Sequence, residues 1–385
     1  MMACSLLSYM DRLALGVLYP TIFSELKLNV QQYGEIVRAF NLAYMLTNPV
    51  WGSVLDRVGL RRGMMLAVGI WSIASGAHAA VAGMLGFIVA RAALGFGEAA
   101  TFPGCMRAAM DWLPSHQQSR GIAVAYSGLT IGGIVTPLLV TPIALAYGWR
   151  AAFIVTGAAG LLWVALWRWT VNFSAAVSSR QTERIRLPNP FERRFWSLVA
   201  SYALGALPFG FVQNLASPYL HQALGFTQAQ LGRTLWFVYL GGIGYFFWGW
   251  IIDRFAATNP RPSWLFAVLA LCSLPVMSVP LLRNSILVLC LLFWATFVAV
   301  GFVILSLRTS ALAYPKEQSG LVAGIGSGSW SAVVALVMPS LGHMFDVHHY
   351  ANAFLFCAVV PVIGTFCWWA LTMPRSGALE IDVTK

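Results

Sequence analysis

The sequence predicts an all-α polytopic membrane protein, with twelve transmembrane helices in two six-helix halves and both termini cytoplasmic. Three observations predict it. Of 385 residues, 59% are hydrophobic and only 10% are charged, where a soluble domain carries roughly 25% charged residues. The apolar residues fall into long runs, and a bilayer-spanning helix needs about 20 of them. Twelve such helices use roughly 240 positions and leave little but loops. The cations gather on one side of that arrangement, as cytoplasmic loops require. A soluble enzyme, a nucleic-acid-binding domain and a disordered chain are thereby excluded.

The spans follow in chain order. The opening MMACSLLSYMDR has no basic n-region and no small-residue cleavage site before its acid. It reads as the start of a spanning helix over 3–23 rather than a signal peptide. Runs at 34–55, 64–82, 85–110, 121–146 and 150–171 complete an N-terminal half, 1–171. The segment 172–194 is the one long polar stretch. It holds Arg180, Arg184, Arg186, Arg193 and Arg194 with Pro188 and Pro190, and is read as a cytoplasmic linker. Runs at 195–217, 229–252, 263–282, 285–309, 319–345 and 351–373 make the C-terminal half, 195–373. Residues 374–385 form a cytoplasmic tail. The run at 195–217 has the weakest apolar pattern, because it contains Pro208, Gln213 and Asn214.

Net charge is +11, from 24 Lys and Arg against 13 Asp and Glu. With the N-terminus inside, 17 cations lie on the inner side and four on the outer side: Lys27, Arg150, Arg233 and Arg283. Arg12, Arg38 and Arg91 remain within helices. This bias explains the charge without a nucleic-acid partner. The expected location is a cell membrane, the inner membrane in a bacterium.

The two halves echo each other. Gly52-Ser-Val-Leu-Asp56-Arg57 ends the second span and Gly249-Trp-Ile-Ile-Asp253-Arg254 ends the eighth, with the aspartates 197 positions apart. Arg107 with Pro114 matches Arg308 with Pro315 at an offset of 201, and Gly121 matches Gly320 at 199. Parallel repeats of this kind pack around a midplane site in transporters.

The segment Gly52–Arg62 resembles the signature loop of the major facilitator superfamily, although Leu60 stands where a basic residue is common. Gly52 and Gly249 would let helices approach closely. Asp56 and Asp253 could accept bonds at a neighbouring helix N-terminus. Arg57 could pair with an acid such as Asp111, and Arg61 and Arg254 complete the set. Together these residues would latch the cytoplasmic side.

Charges deep in the spans carry the chemistry. Asp11 lies about 15 Å into the first span at 1.5 Å per residue, where an ionised group costs about 2.5–3.5 kcal/mol. Asp11 and Arg12 are adjacent, so they point about 100° apart and can address different partners. Arg91 and Glu98, seven apart, share one face of the fourth span at about 10 Å separation. Two acids and two guanidiniums can converge between the first and fourth spans. Intramembrane acids of this kind act as proton relays.

Tyr9-Met10-Asp11-Arg12, FNLAY (40–44), RAALGFGEAATFPG (91–104) and GWRAAF (148–153) resemble the anion:cation symporter family of that superfamily, which includes hexuronate and galactonate permeases. The N-terminal half matches along most of its length. The C-terminal half matches through Pro218-Tyr219-Leu220, Gly225 and Gly249–Arg254. Members of that family carry several further residues ahead of the Asp-Arg pair. The resemblance implies that Asp11 and Glu98 carry protons and that Arg12 binds or couples the substrate carboxylate. It implies that Arg91 tunes the acids and that Tyr9 and Tyr44 line the site. The family's helix 5 glutamine is replaced by Ser127-Gly128-Leu129-Thr130. Its two helix 11 asparagines are replaced by hydroxyls, of which Ser327 and Ser331 are the candidates beside Trp330. Fewer amides and one indole point to a smaller or more apolar acid than a sugar acid. Gln213 and Asn214 are the candidate contacts of the C-terminal half. Arg38 is read as an arginine snorkelling to the outer interface or as a second carboxylate contact.

The remaining polar residues read as structural. The six cysteines lie in apolar stretches without a CxxC pair, as small buried hydrophobes. His78 and His343 lack a metal-ligand partner at i+4. Trp163, Trp167, Trp169, Trp248, Trp250, Trp368 and Trp369 fall near span ends and suggest an interfacial belt. No cofactor or metal is expected, and no GxxxxGK[ST] run suggests an ATP-driven pump. The expected partners are a small organic anion, protons and the lipid bilayer, with the chain a monomer. The sequence therefore predicts a proton-coupled importer of a small organic anion, and not an enzyme. A proton antiporter exporting organic compounds or drugs is the alternative, disfavoured by Arg12 and Arg91. A non-transporting sensor would need an output surface, which the bare linker does not offer.

Overall fold

The computed structural model describes residues 1–171, 189, 191–255, 262–314 and 316–372. Most of the predicted linker and the predicted tail lie outside these residues, as do Arg180, Arg184, Arg186, Pro188, Pro190, Arg261, Arg375 and Lys385. Among the described residues there are sixteen α-helices and no strand. They run α1 (Met2–Val17), α2 (Tyr19–Leu26), α3 (Val30–Val58), α4 (Leu60–Ala77), α5 (Met84–Glu98), α6 (Thr101–Trp112), α7 (Ser115–Tyr147) and α8 (Trp149–Thr170). Then come α9 (Arg193–Gly205), α10 (Leu207–Leu224), α11 (Gln228–Tyr239), α12 (Gly244–Phe255), α13 (Ser263–Ser273), α14 (Ser285–Ala313), α15 (Lys316–Asp346) and α16 (Tyr350–Thr372).

Proline explains several of the breaks. It lacks an N–H and clashes with the carbonyl four residues back. Pro20 separates α1 from α2, Pro103 separates α5 from α6, and Pro208 separates α9 from α10. The break at residues 99 and 100 falls directly after Glu98, so that carboxylate sits at an interrupted point of its span.

Ten helical stretches among the described residues are long and apolar enough to cross a membrane. The first two predicted spans are not among them. Helix α1 ends after 16 residues. Helix α3 has 29 residues but dilutes its apolar face with Gln31, Gln32, Glu35, Arg38, Asn41 and Asn48.

Small residues set the packing of the site-bearing helices, as membrane interfaces require. A side chain on Gly95 would collide with the Phe40 carbonyl, so α5 lies directly on α3. One cluster of buried hydrophobics lies within the first eight helices, around Trp71 and Leu94. Another lies within the last eight, around Phe266 and Phe302. The largest joins the two groups, through residues such as Ile36, Tyr33, Leu215 and Phe345.

Several tryptophans correct the expected interfacial belt. Trp163, Trp167, Trp248 and Trp368 are buried, whereas Trp169, Trp250 and Trp369 are exposed. The buried ones tie helices together. Trp167 Nε1 donates to Arg61 O at 3.3 Å and Trp248 Nε1 to Phe297 O at 2.8 Å. The cysteine expectation also holds only in part, since Cys290 is exposed. His78 is buried and stacks on Phe153 at 4.9 Å, a structural position.

The chain ends its second helix on an ion pair. Arg150 donates to Glu25 Oε1 at 2.6 Å, and Trp149 Nε1 to Glu25 Oε2 at 2.8 Å. These bonds, Arg150 first, hold the Glu25 carboxyl below its ordinary range. A depressed carboxyl contributes stability above its unfolded pKa and loses it as pH falls through the folded one. Both partners are near half exposed, so Glu25→Gln should cost no more than about 1 kcal/mol at neutral pH. Melting measured from pH 7 down to 3 should show wild type and Glu25→Gln converging in acid. A difference that persists at pH 3 would reject the assignment.

Candidate functional site

Helix α1 divides its two adjacent charges between two directions, as the 100° step requires. Arg12 reaches α5, where its Nε and Nη2 donate to Glu98 Oε2 at 3.2 and 3.1 Å. Ser8, one turn earlier on the same face, donates to the same oxygen at 3.0 Å. Glu98 is fully buried, and its Oε1 has no hydrogen-bond partner. The Arg12 guanidinium also lies over the rings of Phe40 and Tyr44, each 4.8 Å from the centroid, and of Tyr9 at 5.6 Å. Such stacking stabilises a cation away from water. Tyr44 is buried and its hydroxyl has no hydrogen-bond partner.

Asp11 points elsewhere. Ser75 of α4 donates to its Oδ1 at 2.6 Å, and Ser75 in turn lies 3.0 Å from Thr156 of α8. Asp11 is 1% exposed, with Oδ2 unpartnered. Of the four charges expected to converge, Arg12 and Glu98 pair directly, while Asp11 accepts from Ser75, itself beside Thr156.

Arg91 is 4% exposed. Its Nη1 donates to the Arg12 carbonyl at 3.0 Å, while Nε and Nη2 are buried without partners. Two guanidinium donors left without acceptors in a dry interior are costly. Arg91 lines a small cavity of ≈ 20 Å³ together with Arg12, Asn41, Gln213, Asn214 and Trp330 among others. A second cavity of ≈ 20 Å³ lies beside Tyr9, Gln213, Tyr239 and Tyr245. Each has room for about one water. A sugar acid would need the helices to part.

The C-terminal contributions differ from expectation. Gln213 is buried between both cavities and its Nε2 donates to Tyr9 Oη. Asn214 lines one cavity, with Nδ2 donating to Gly210 O at 2.8 Å. Ser327 and Ser331 line neither cavity. Instead α15 lines the cavity with Trp330 and Val334. Trp330 Nε1 is fixed by Ala206 O at 2.9 Å. Asn41, Phe40, Ser8, Ser75 and Thr156 are additions. Asn41 and Phe40 lay within the FNLAY segment, and Ser8 lay one turn from Arg12. Ser75 and Thr156 had no signal in the sequence.

The expected latch is also corrected. Asp56 pairs with Arg107, which bonds Asp111 at 3.2 Å. The bridging cation is thus Arg107 of α6 rather than Arg57, because Arg107 and Asp111 stand one turn apart on one face. Arg61 donates to Arg168 O at 2.5 Å and ties α4 to the end of α8. A Cβ on Gly52 or Gly249 would meet nothing within 4 Å, so neither glycine marks a close approach here. Asp253 and Arg254 are exposed, with Arg254 over the Phe255 ring at 5.7 Å. Arg38 lines neither cavity. It pairs with Glu35 at 2.9 Å and donates to Ala335 O of α15 at 3.1 Å.

Known proteins place this architecture. The structure superposes on a bacterial homolog of the human lysosomal transporter Spinster, in an inward-facing and occupied conformation. The TM-score is 0.81 at 17% identity, over 96% of this chain and 95% of that one. The D-galactonate transporter of Escherichia coli O6:H1 is 25% identical over 94% of this chain and 91% of its own. The hexuronate transporter of Escherichia coli K12 is 33% identical over 42% of this chain, and that match spans only 38% of its own length. The family model of the Major Facilitator Superfamily matches residues 1–325. The helical membrane fold, the similar proteins and this match agree: the chain belongs to the Major Facilitator Superfamily.

Proposed function

We propose that this protein imports a small organic anion together with protons, by alternating access of two halves, 1–171 and 195–373, across a bacterial inner membrane. In this reading all twelve spans cross the bilayer, both termini are cytoplasmic, and the monomer is the working unit. The observation that carries it is the buried Arg12–Glu98 pair, set beside a cavity that Arg12 and Arg91 both line, with two Arg91 donors left unpartnered. The hexuronate and D-galactonate transporters among the similar proteins support an organic anion as cargo.

Charge balance supports the coupling. Asp11, Arg12, Arg91 and Glu98 sum to zero when both acids are ionised. Adding a carboxylate to that buried set leaves an unmatched charge, which a low-dielectric site penalises heavily. Protonating one acid removes it, so proton and anion favour each other's binding. One proton per monocarboxylate keeps the site neutral. Protonated Glu98 would release Arg12 toward the cavity, and Arg91 would receive the carboxylate. Phe40, Trp330, Val37 and Val334 would cover an apolar face of the substrate.

Proteoliposome uptake over a panel of organic acids, with an imposed pH gradient, tests this reading. Accumulation of one or more carboxylates only when the outside is acidic is the expected result. Accumulation driven by an acidic interior would indicate antiport and overturn it. Glucuronate and galactonate taken up as fast as any aromatic or short-chain acid would reject the apolar substrate. Arg91→Ala should weaken substrate binding about 10- to 100-fold, the range for charge-assisted hydrogen bonds. Binding unchanged in Arg91→Ala would remove Arg91 as the receptor.

A further inference from the structure

The two groups of helices approach each other closely at one end of α3 and α15. At the tight end, a Cβ on Gly34 of α3 would lie 2.5 Å from Met338 O of α15, and one on Gly342 would strike Val30 O. At the far end of the same two helices, a Cβ on Gly52 or Gly324 would meet nothing within 4 Å. Helices α3 and α15 are therefore in close contact at the start of α3.

That contact carries an ion. Asp346, the last residue of α15, accepts from Val30 N through Oδ1 at 2.8 Å and from Gln31 N through Oδ2 at 2.9 Å. Gln32 N is taken by Asn29 Oδ1 at 2.8 Å. The first three N–H groups of α3, which no helix can satisfy internally, are thus all occupied. Two of the three are held by a carboxylate from the other half of the chain. A negative charge there also meets the positive end of the α3 dipole. The Arg38 bond to Ala335 O lies two turns further along the same pair of helices. Thr21 to Gln228 at 2.9 Å and Gln222 to Tyr19 at 3.3 Å tie α2 to α11 and α10.

We propose that Asp346 is the outer clamp of the transport cycle: its carboxylate closes the outer end by capping α3 across the two halves, and the cap must break for the outer end to open. This proposal rests on the alternating-access reading above. Asp346 touches neither cavity, so it acts as a positioning residue through the angle between the halves.

Spin-label distances in nanodiscs test it on the full chain, with the six native cysteines replaced by alanine. One label pair, Lys27→Cys with His349→Cys, reports the clamped end. A second pair, Trp169→Cys with Phe255→Cys, reports the opposite end. Asp346→Ala should move the population at the clamped end roughly tenfold toward the longer distance, with the opposite pair shortening. Asp346→Asn, which keeps one acceptor, should move it about threefold. Both figures assume a net loss of one to two charge-assisted hydrogen bonds, diminished by water replacing them. Val30→Pro offers a route from the other partner. It deletes one N–H donor at the first helical position, where proline is tolerated. It should open the clamped end in the wild-type background and add little to Asp346→Ala. Unchanged distances in Asp346→Asn and Val30→Pro would overturn the clamp, even if Asp346→Ala failed to fold. If neither end changes its distance with pH or variant, alternating access itself fails. If both ends exchange normally while these variants have no effect, only the clamp does.

Discussion

Glu98→Gln should abolish accumulation driven by a pH gradient while leaving exchange of labelled for unlabelled substrate measurable. One pH unit is worth about 1.4 kcal/mol per proton. An electroneutral symporter carrying one proton should therefore concentrate its substrate about tenfold across a one-unit gradient. Glutamine keeps an oxygen near Arg12 and Ser8, which Glu98 now holds at 3.1 and 3.0 Å. It cannot take up or release a proton. The variant should equilibrate substrate to a ratio near one. Tenfold accumulation by Glu98→Gln would sink the coupling role of this residue, and attention would move to Asp11.

Arg12→Ala should cost far more than a lost contact. It strands a fully buried carboxylate with Ser8 as its only donor. Breaking a buried ion pair from one side typically destabilises by about 3–5 kcal/mol. The double variant Arg12→Ala/Glu98→Gln should recover most of that loss in thermal or denaturant unfolding, because no charge is left unmatched. It should still fail to take up substrate. Additive effects of the two substitutions would show that the pair is not energetically coupled. Recovered uptake in the double variant would remove Arg12 from the transport site.

Much of this site was legible before any fold was known. In a chain with 10% charged residues, four charges placed deep in spans demand a reason, because hydrocarbon penalises them. Helical geometry then separated Asp11 from Arg12 and put Arg91 and Glu98 on one face. What was not legible was which acid met which base. Arg12 could have addressed either carboxylate; the packing of α5 on α3 at Gly95 brought Glu98 to it, and Ser75 with Thr156 took Asp11. Similar limits explain the serines of α15. Their spacing puts Ser327 on the face of Val334, but the cavity lies at the level of Trp330 and Val334, and spacing does not give that depth. The Asp56 loop shows the same limit. A motif gives a carboxylate and several arginines, and only the crossing of α3 and α6 selects Arg107.

Asp346 marks the boundary most clearly. In sequence it is one acid at the end of an apolar run. It lies 316 positions from Val30, and no local rule connects them.

The sequence by itself determined that the chain lives in a membrane and how its charge is distributed. It also determined which buried charges need partners. These follow from composition and from the 3.6-residue period, both of which act locally. The tertiary structure alone decided the pairings, the shape and size of the cavities and the end at which the two groups of helices close. Those depend on the rotation and tilt of packed helices, which are set by contacts between residues far apart in the chain.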